Sequence, residues 1–98
     1  MATKTIPFDA AKYLEDDAAI AAFIEVSLED GDAGELANAL GIVARARGMS
    51  QIAKETGLSR ESLYRALSES GNPELDTLLR VFKALRLKLS VSPVTAAE

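Results

Sequence analysis

The sequence predicts an all-α fold, and three observations carry that prediction. Hydrophobic residues make up 48% of the 98-residue chain, but aromatic residues only 5%. A core of this composition rests on Leu, Ile, Val and abundant Ala, which suits close-packed helices better than a β-sandwich. Apolar residues recur at helical spacing along most of the chain. The ends of those periodic stretches carry capping residues such as Asp16, Ser50 and Ser59, or stopping glycines such as Gly31, Gly48 and Gly57. The length allows one domain and no second folding unit.

The elements follow in order. After Pro7, Asp9 caps a short turn at Ala10–Leu14. Asp16 caps a helix over Asp17–Glu29, with Ile20, Phe23, Ile24 and Val26–Leu28 as its apolar positions. Gly31-Asp32 ends it. A further helix over Gly34–Arg47 turns Leu36, Leu40 and Val43 inward, with Gly41 either a mild cost or a close-packing point. Arg45 and Arg47 sit in its last turn, where cations suit the helix dipole, and Gly48 stops it. Short helices over Ser50–Thr56 and Arg60–Leu67 follow, capped by Ser50 and Ser59. Ser70-Gly71-Asn72-Pro73 is a loop by its turn residues. The last helix spans Glu74–Leu87, with Leu75, Leu78, Leu79, Phe82 and Leu85. The alternation Leu87-Lys88-Leu89-Ser90-Val91 reads as a short C-terminal strand that must borrow a partner from another subunit, or else is merely a tail. The expected core is Leu36, Leu40, Val43, Ile52, Leu58, Leu63, Leu67, Leu78, Phe82 and Leu85.

Composition narrows the function. The chain holds no Cys and no His, so thiolate metal sites, thiol nucleophiles and imidazole bases are excluded. No apolar run approaches a membrane span, and the N-terminus lacks a signal-peptide apolar core. The expectation is a cytoplasmic protein that is not an enzyme and uses no cofactor or metal. The Glu29-Asp30-Gly31-Asp32 run lacks the alternating ligand spacing of a calcium loop and reads as helix capping. The net charge of −4 argues against nucleic acid, but its distribution reverses the argument. Residues 1–41 set two cations against nine acids, a net −7, whereas residues 42–98 set nine cations against six acids, a net +3. Such asymmetry points either to two partners, one for each half, or to scatter on solvated helix faces.

The stretch from Ser50 to Leu67 has the anatomy of a helix-turn-helix. Ala53 is small where two helices cross, and Gly57 supplies the positive φ of a tight turn. Leu58, Leu63 and Ala66, with Ile52 opposite, form the small core that fixes the crossing. Glu61, Tyr64, Arg65 and Ser68 then share the outer face of the second helix, with Ser59 and Arg60 at its N-terminal end. Arg can fork onto guanine, and Ser and Tyr reach phosphates or base edges. The same pattern fits any αα-hairpin with a glycine turn, and the order of helices around it is what favours DNA.

The run from Leu36 to Leu87 resembles the phage-repressor (XRE/Cro-type) helix-turn-helix domain, which implies a five-helix, phage-repressor-like fold with an N-terminal helical extension. More narrowly, FDAAKYL, ALGIVARARGMSQIAKETGLSRESLYRALSESGNP and LDTLLRVFKALRLKL resemble the HigA-like addiction-module antidote proteins over about Ile6 to Val91. Between Gly48 and Ala53 the chain is two residues shorter than the usual pattern, so the first helix of the motif should be stubby. The resemblance implies an antitoxin of a type II toxin-antitoxin module. Such a protein neutralises a small basic RelE/ParE-like toxin and represses its own operon. The expected organisation is an acidic helical extension at 1–32 within the same compact unit, a DNA-binding domain at 33–92 and a frayed tail at 93–98. The expected DNA-binding residues are Gln51, Ser59, Arg60, Glu61, Tyr64, Arg65 and Ser68, reading double-stranded operator DNA as a homodimer. The large apolar residues Phe8, Tyr13, Leu14 and Phe23 are the expected toxin anchors. The alternative functions are a stand-alone repressor without a toxin and an interaction module with a degenerate hairpin.

Overall fold

The structure is a computed structural model and describes residues 16–95. The expected turn at Ala10–Leu14 and the residues Phe8, Tyr13 and Leu14 lie outside that range. The described residues form five helices and no strand: α1 (Asp17–Glu29), α2 (Ala33–Arg47), α3 (Met49–Thr56), α4 (Arg60–Ala66) and α5 (Leu75–Ala84).

Helix α1 starts where the Asp16 carboxylate accepts the Ala18 N–H at 3.3 Å, satisfying one of the free donors of the first turn. It buries Ile20, Ile24 and Ser27. The inward Ser27 is tolerated because its hydroxyl donates to the Ile24 carbonyl at 2.7 Å. Its neighbours Val26 and Leu28 are left facing outward, Val26 with 63% of its surface exposed. After the turn at Gly31-Asp32, α2 runs back along α1 and places Arg47, at its end, on Asp17, at the start of α1.

Helix α2 is the spine of the core. Ala37, Ala39, Leu40, Val43 and Ala44 are buried along it, packed with Ile20, Ile24, Ile52, Leu63, Leu67, Val81, Phe82 and Leu85. Gly41 is a close-packing point: a Cβ there would overlap the Leu67 carbonyl oxygen. The backbone at the end of α4 thus lies directly against the backbone of α2.

Several boundaries differ from expectation, two of them for clear physical reasons. Helix α3 begins at Met49 with Gly48 in the capping position, and Ser50 lies within the helix. Gly48 takes φ 110°, and its carbonyl accepts the Gln51 and Ile52 N–H groups. The conformation that ends α2 therefore also starts α3, which leaves no room for a serine cap. The stubby helix expected here is eight residues long.

Helix α5 ends at Ala84, three residues early, with Arg86 in the left-handed region at φ 64°. The Leu87 N–H bonds the Phe82 carbonyl at 2.8 Å and the Arg86 N–H bonds the Lys83 carbonyl at 3.0 Å. That is the Schellman termination, built on Arg where Gly is usual.

The expected strand at Leu87–Val91 is not formed. Residues 87–91 take no regular secondary structure, the Leu87 N–H is taken by the end of α5, and no described strand pairs with them. The core also shifts. Leu36, Leu58 and Leu78 are only half-buried, whereas Met49 and Val81 are buried. The face of α5 that turns inward is Leu78, Val81, Phe82 and Leu85, while Leu75 and Leu79 are exposed.

Candidate nucleic-acid interface

Helices α3 and α4 are joined by a three-residue turn whose geometry several bonds specify. Gly57 ends α3 at φ 77°, ψ 13°, the left-handed conformation that costs glycine least. Its N–H bonds the Ala53 carbonyl at 2.9 Å. The buried Thr56 hydroxyl donates to the Ile52 carbonyl at 2.8 Å and accepts the Leu58 N–H at 3.3 Å, linking helix to turn. Arg80 of α5 reaches across and donates to the Thr56 carbonyl at 3.0 Å, while its own guanidinium is held by Asp76 at 3.1 Å. Thr56 and Arg80 are positioning residues absent from the sequence-based set. A Thr directly before a turn glycine is a local signal for the first, but Arg80 is visible only in three dimensions.

Helix α4 opens on Ser59, whose hydroxyl accepts the Ser62 N–H at 3.0 Å and donates to the Ser62 hydroxyl at 2.9 Å. Leu63 is fully buried and anchors the helix from below. The outer face then presents Arg60, Glu61, Tyr64 and Arg65 to solvent. The Arg60 guanidinium lies 6.0 Å from the centroid of the Tyr64 ring, at the outer range of a cation–π contact. Neither Arg60 nor Arg65 forms a salt bridge with another described residue. Other arginines are engaged: Arg47 and Arg86 on Asp17, and Arg80 on Asp76.

The remaining expected positions fall differently. Ser59 is exposed but committed to its cap. Ser68 is half-buried, its hydroxyl donating to the Arg65 carbonyl at 3.0 Å. Gln51 is exposed on α3, one full turn before Glu55, to which its amide donates at 2.7 Å. The structure thus brings Arg60, Glu61, Tyr64 and Arg65 together on one helix face and leaves Gln51 on the neighbouring helix.

The α1–α2 turn is acidic, with Asp30, Asp32 and Glu35 clustered around it. The Glu35 carboxyl is held above its ordinary value, chiefly by the negative charge of Asp30, with Asp32 adding to it. Phe23, the one expected toxin anchor within the described residues, is half-buried and lines an open groove between α1 and α2. No described helix is long and apolar enough to cross a membrane.

These features define an all-helical protein with a rigid, arginine-bearing helical hairpin on one side and an acidic helix pair on another. A family model described as "probable addiction module antidote protein" matches residues 4–93, and the chain belongs to that family. It is also similar to an uncharacterized protein of Haemophilus influenzae Rd. The two are 44% identical over 84 residues, which cover 86% of this chain and 87% of that protein. No solved structure matches.

Proposed function

We propose that this chain is an antitoxin that represses its own operon through α3 and α4, used as a DNA-reading helix-turn-helix, and neutralises a small basic RelE/ParE-like toxin through its acidic half. The observation that carries the DNA reading is the outer face of α4. Arg60, Tyr64 and Arg65 are exposed there, on a helix whose start is fixed by the Ser59 cap and whose base is fixed by Leu63. A helix held this way presents its N-terminal residues to base edges while the preceding helix crosses the backbone. Membership of an antidote family supports the toxin partner. On this reading the protein is a cytoplasmic binding protein that needs no cofactor. It pairs as a homodimer on an inverted repeat, with half-sites about 34–36 Å apart.

The test is a mobility-shift titration of the protein's own promoter fragment against a scrambled fragment. Arg60→Ala and Arg65→Ala are each expected to weaken specific binding by about 1–3 kcal/mol, as for a lost fork onto guanine. If both variants kept wild-type affinity and wild-type sequence preference, α4 would not be the recognition helix.

A further inference from the structure

The groove between α1 and α2 has an occupied look on neither side: it is about 340 Å³, open, and lined by Phe23, Val26, Ala39 and Ile42, with Glu35 and Asn38 as its polar members. Val26 is the informative residue. An amphipathic helix normally turns its branched aliphatics inward, yet α1 buries Ser27 and leaves Val26 in solvent. That inversion costs the monomer apolar burial and adds an exposed Val26 to a groove whose Phe23, Ala39 and Ile42 pack against the core.

The charge around the floor is one-sided. At the end formed by the α1–α2 turn stand Asp30, Asp32 and Glu35, close enough that Asp30 raises the Glu35 carboxyl. At the other end of the helix pair, Asp17 is neutralised by Arg47 and Arg86. No set of three or more acids among the described residues is arranged to hold a metal ion. Clustered acids beside an apolar floor complement a side chain that carries cations next to an apolar anchor.

We propose that this groove is where the toxin docks, through a cationic amphipathic helix. An apolar anchor of that helix sits between Phe23, Val26 and Ile42, and its Lys or Arg residues lie toward Asp30, Asp32 and Glu35. The inference rests on the antitoxin reading and deepens it by naming the surface and the partner's chemistry. The polarity of the groove also orients the partner: its cationic end lies at the α1–α2 turn. Val26 and Phe23 supply the hold, and the acids supply rate and orientation.

The probe is the purified, fluorescently labelled product of the gene adjacent to this one, titrated with the full-length chain and read by anisotropy. Val26→Arg and Glu35→Lys are exposed changes that leave the core intact, which a circular-dichroism melt and the promoter mobility shift both check. Each is expected to weaken toxin binding about tenfold or more while operator binding stays at wild-type level. Glu35→Gln is expected to slow association and flatten its salt dependence. If the wild-type chain does not bind the probe, the antitoxin reading itself fails and the groove with it. If the wild type binds and Val26→Arg and Glu35→Lys bind equally well, only the groove is refuted. Loss of binding on deleting residues 1–15, with both groove variants unaffected, would move the site to the N-terminal segment. A Val26→Arg chain that changes oligomeric state but not toxin affinity would make the groove a self-association face and overturn the proposal.

Discussion

Replacing Gly41 by Ala tests how the α3–α4 hairpin is held. In a helix interior Ala is ordinarily better than Gly by about 1 kcal/mol, so propensity alone favours the substitution. The structure opposes it. A Cβ at position 41 would overlap the Leu67 carbonyl oxygen and crowd the Leu67 carbonyl carbon, which are backbone atoms and cannot rotate away. Forcing a methyl group into such a contact costs about 1–3 kcal/mol, and the upper part of that range applies where backbone must move. The balance is a net loss of about 1–2 kcal/mol, corresponding to roughly 4–8 °C in Tm per kcal/mol for a domain of this size. Urea and thermal melts followed by circular dichroism at 222 nm, a wavelength set by helix absorption rather than by this protein, measure it directly. Because Leu67 caps α4, relief of the clash shifts the helix that carries Arg60 and Arg65. Operator affinity is therefore expected to fall further than stability alone accounts for. A Gly41→Ala chain more stable than wild type would refute the claim that the two backbones touch.

Three further outcomes follow from the packing. Leu63→Ala is expected to destabilise the protein by about 2–5 kcal/mol in urea melts, because a fully buried Leu leaves a cavity; a loss below about 1 kcal/mol would remove Leu63 from the core. Arg86→Gly is expected to stabilise by about 0.5–1 kcal/mol, since the left-handed C′ position suits Gly and the exposed contact with Asp17 contributes little. Glu35→Gln is expected to raise Tm at neutral pH. A carboxyl whose folded pKa is raised binds protons more readily in the folded state, so its penalty is present when it is ionised and fades as pH falls through the carboxylate range. The difference between wild type and Glu35→Gln should therefore shrink as the pH is lowered, and a gap that widened toward acid would contradict the cause assigned to Glu35.

Much of the fold was legible because local chemistry and tertiary packing agree at the helix starts. Asp16 and Ser59 cap as their side chains dictate, and α1 keeps the bounds that its cap and Gly31 imply. Where they disagree, sequence reading failed for identifiable reasons. Gly48 outcompetes Ser50 because one backbone conformation serves two helices. Arg86 carries no compositional sign of a left-handed residue, so the Leu-rich α5 was read three residues too long. The leucines at 75 and 79 share the periodicity of Leu78 and Phe82, and only the position of α5 against α3 turns Val81 inward instead. For the candidate site, the outward face of α4 follows from a helical wheel once Leu63 is set inside. The groove does not, because it is made by two helices meeting. Of its residues only Phe23 stands out in the sequence, as an aromatic side chain in an acidic region.

The Asp17 carboxylate, meeting Arg47 and Arg86 at once, also sets how many mobile counterions the protein can displace from a polyanion. Each phosphate neutralised contributes a slope of about −0.9 to the logarithmic dependence of affinity on salt. The Arg47 guanidinium, paired with Asp17 and only partly exposed, is less free to contribute to that slope, and Arg80 is similarly paired with Asp76. On the proposed reading, contact with DNA would fall to a short set of cations that form no ion pair among the described residues, among them Lys54, Arg60 and Arg65. If the hairpin reads an operator as proposed, so short a set of cations leaves a weak grip on arbitrary sequence, and affinity is governed by the fit of α4 to base edges. On that reading, the Asp17 carboxylate sharpens discrimination by keeping the nonspecific background low.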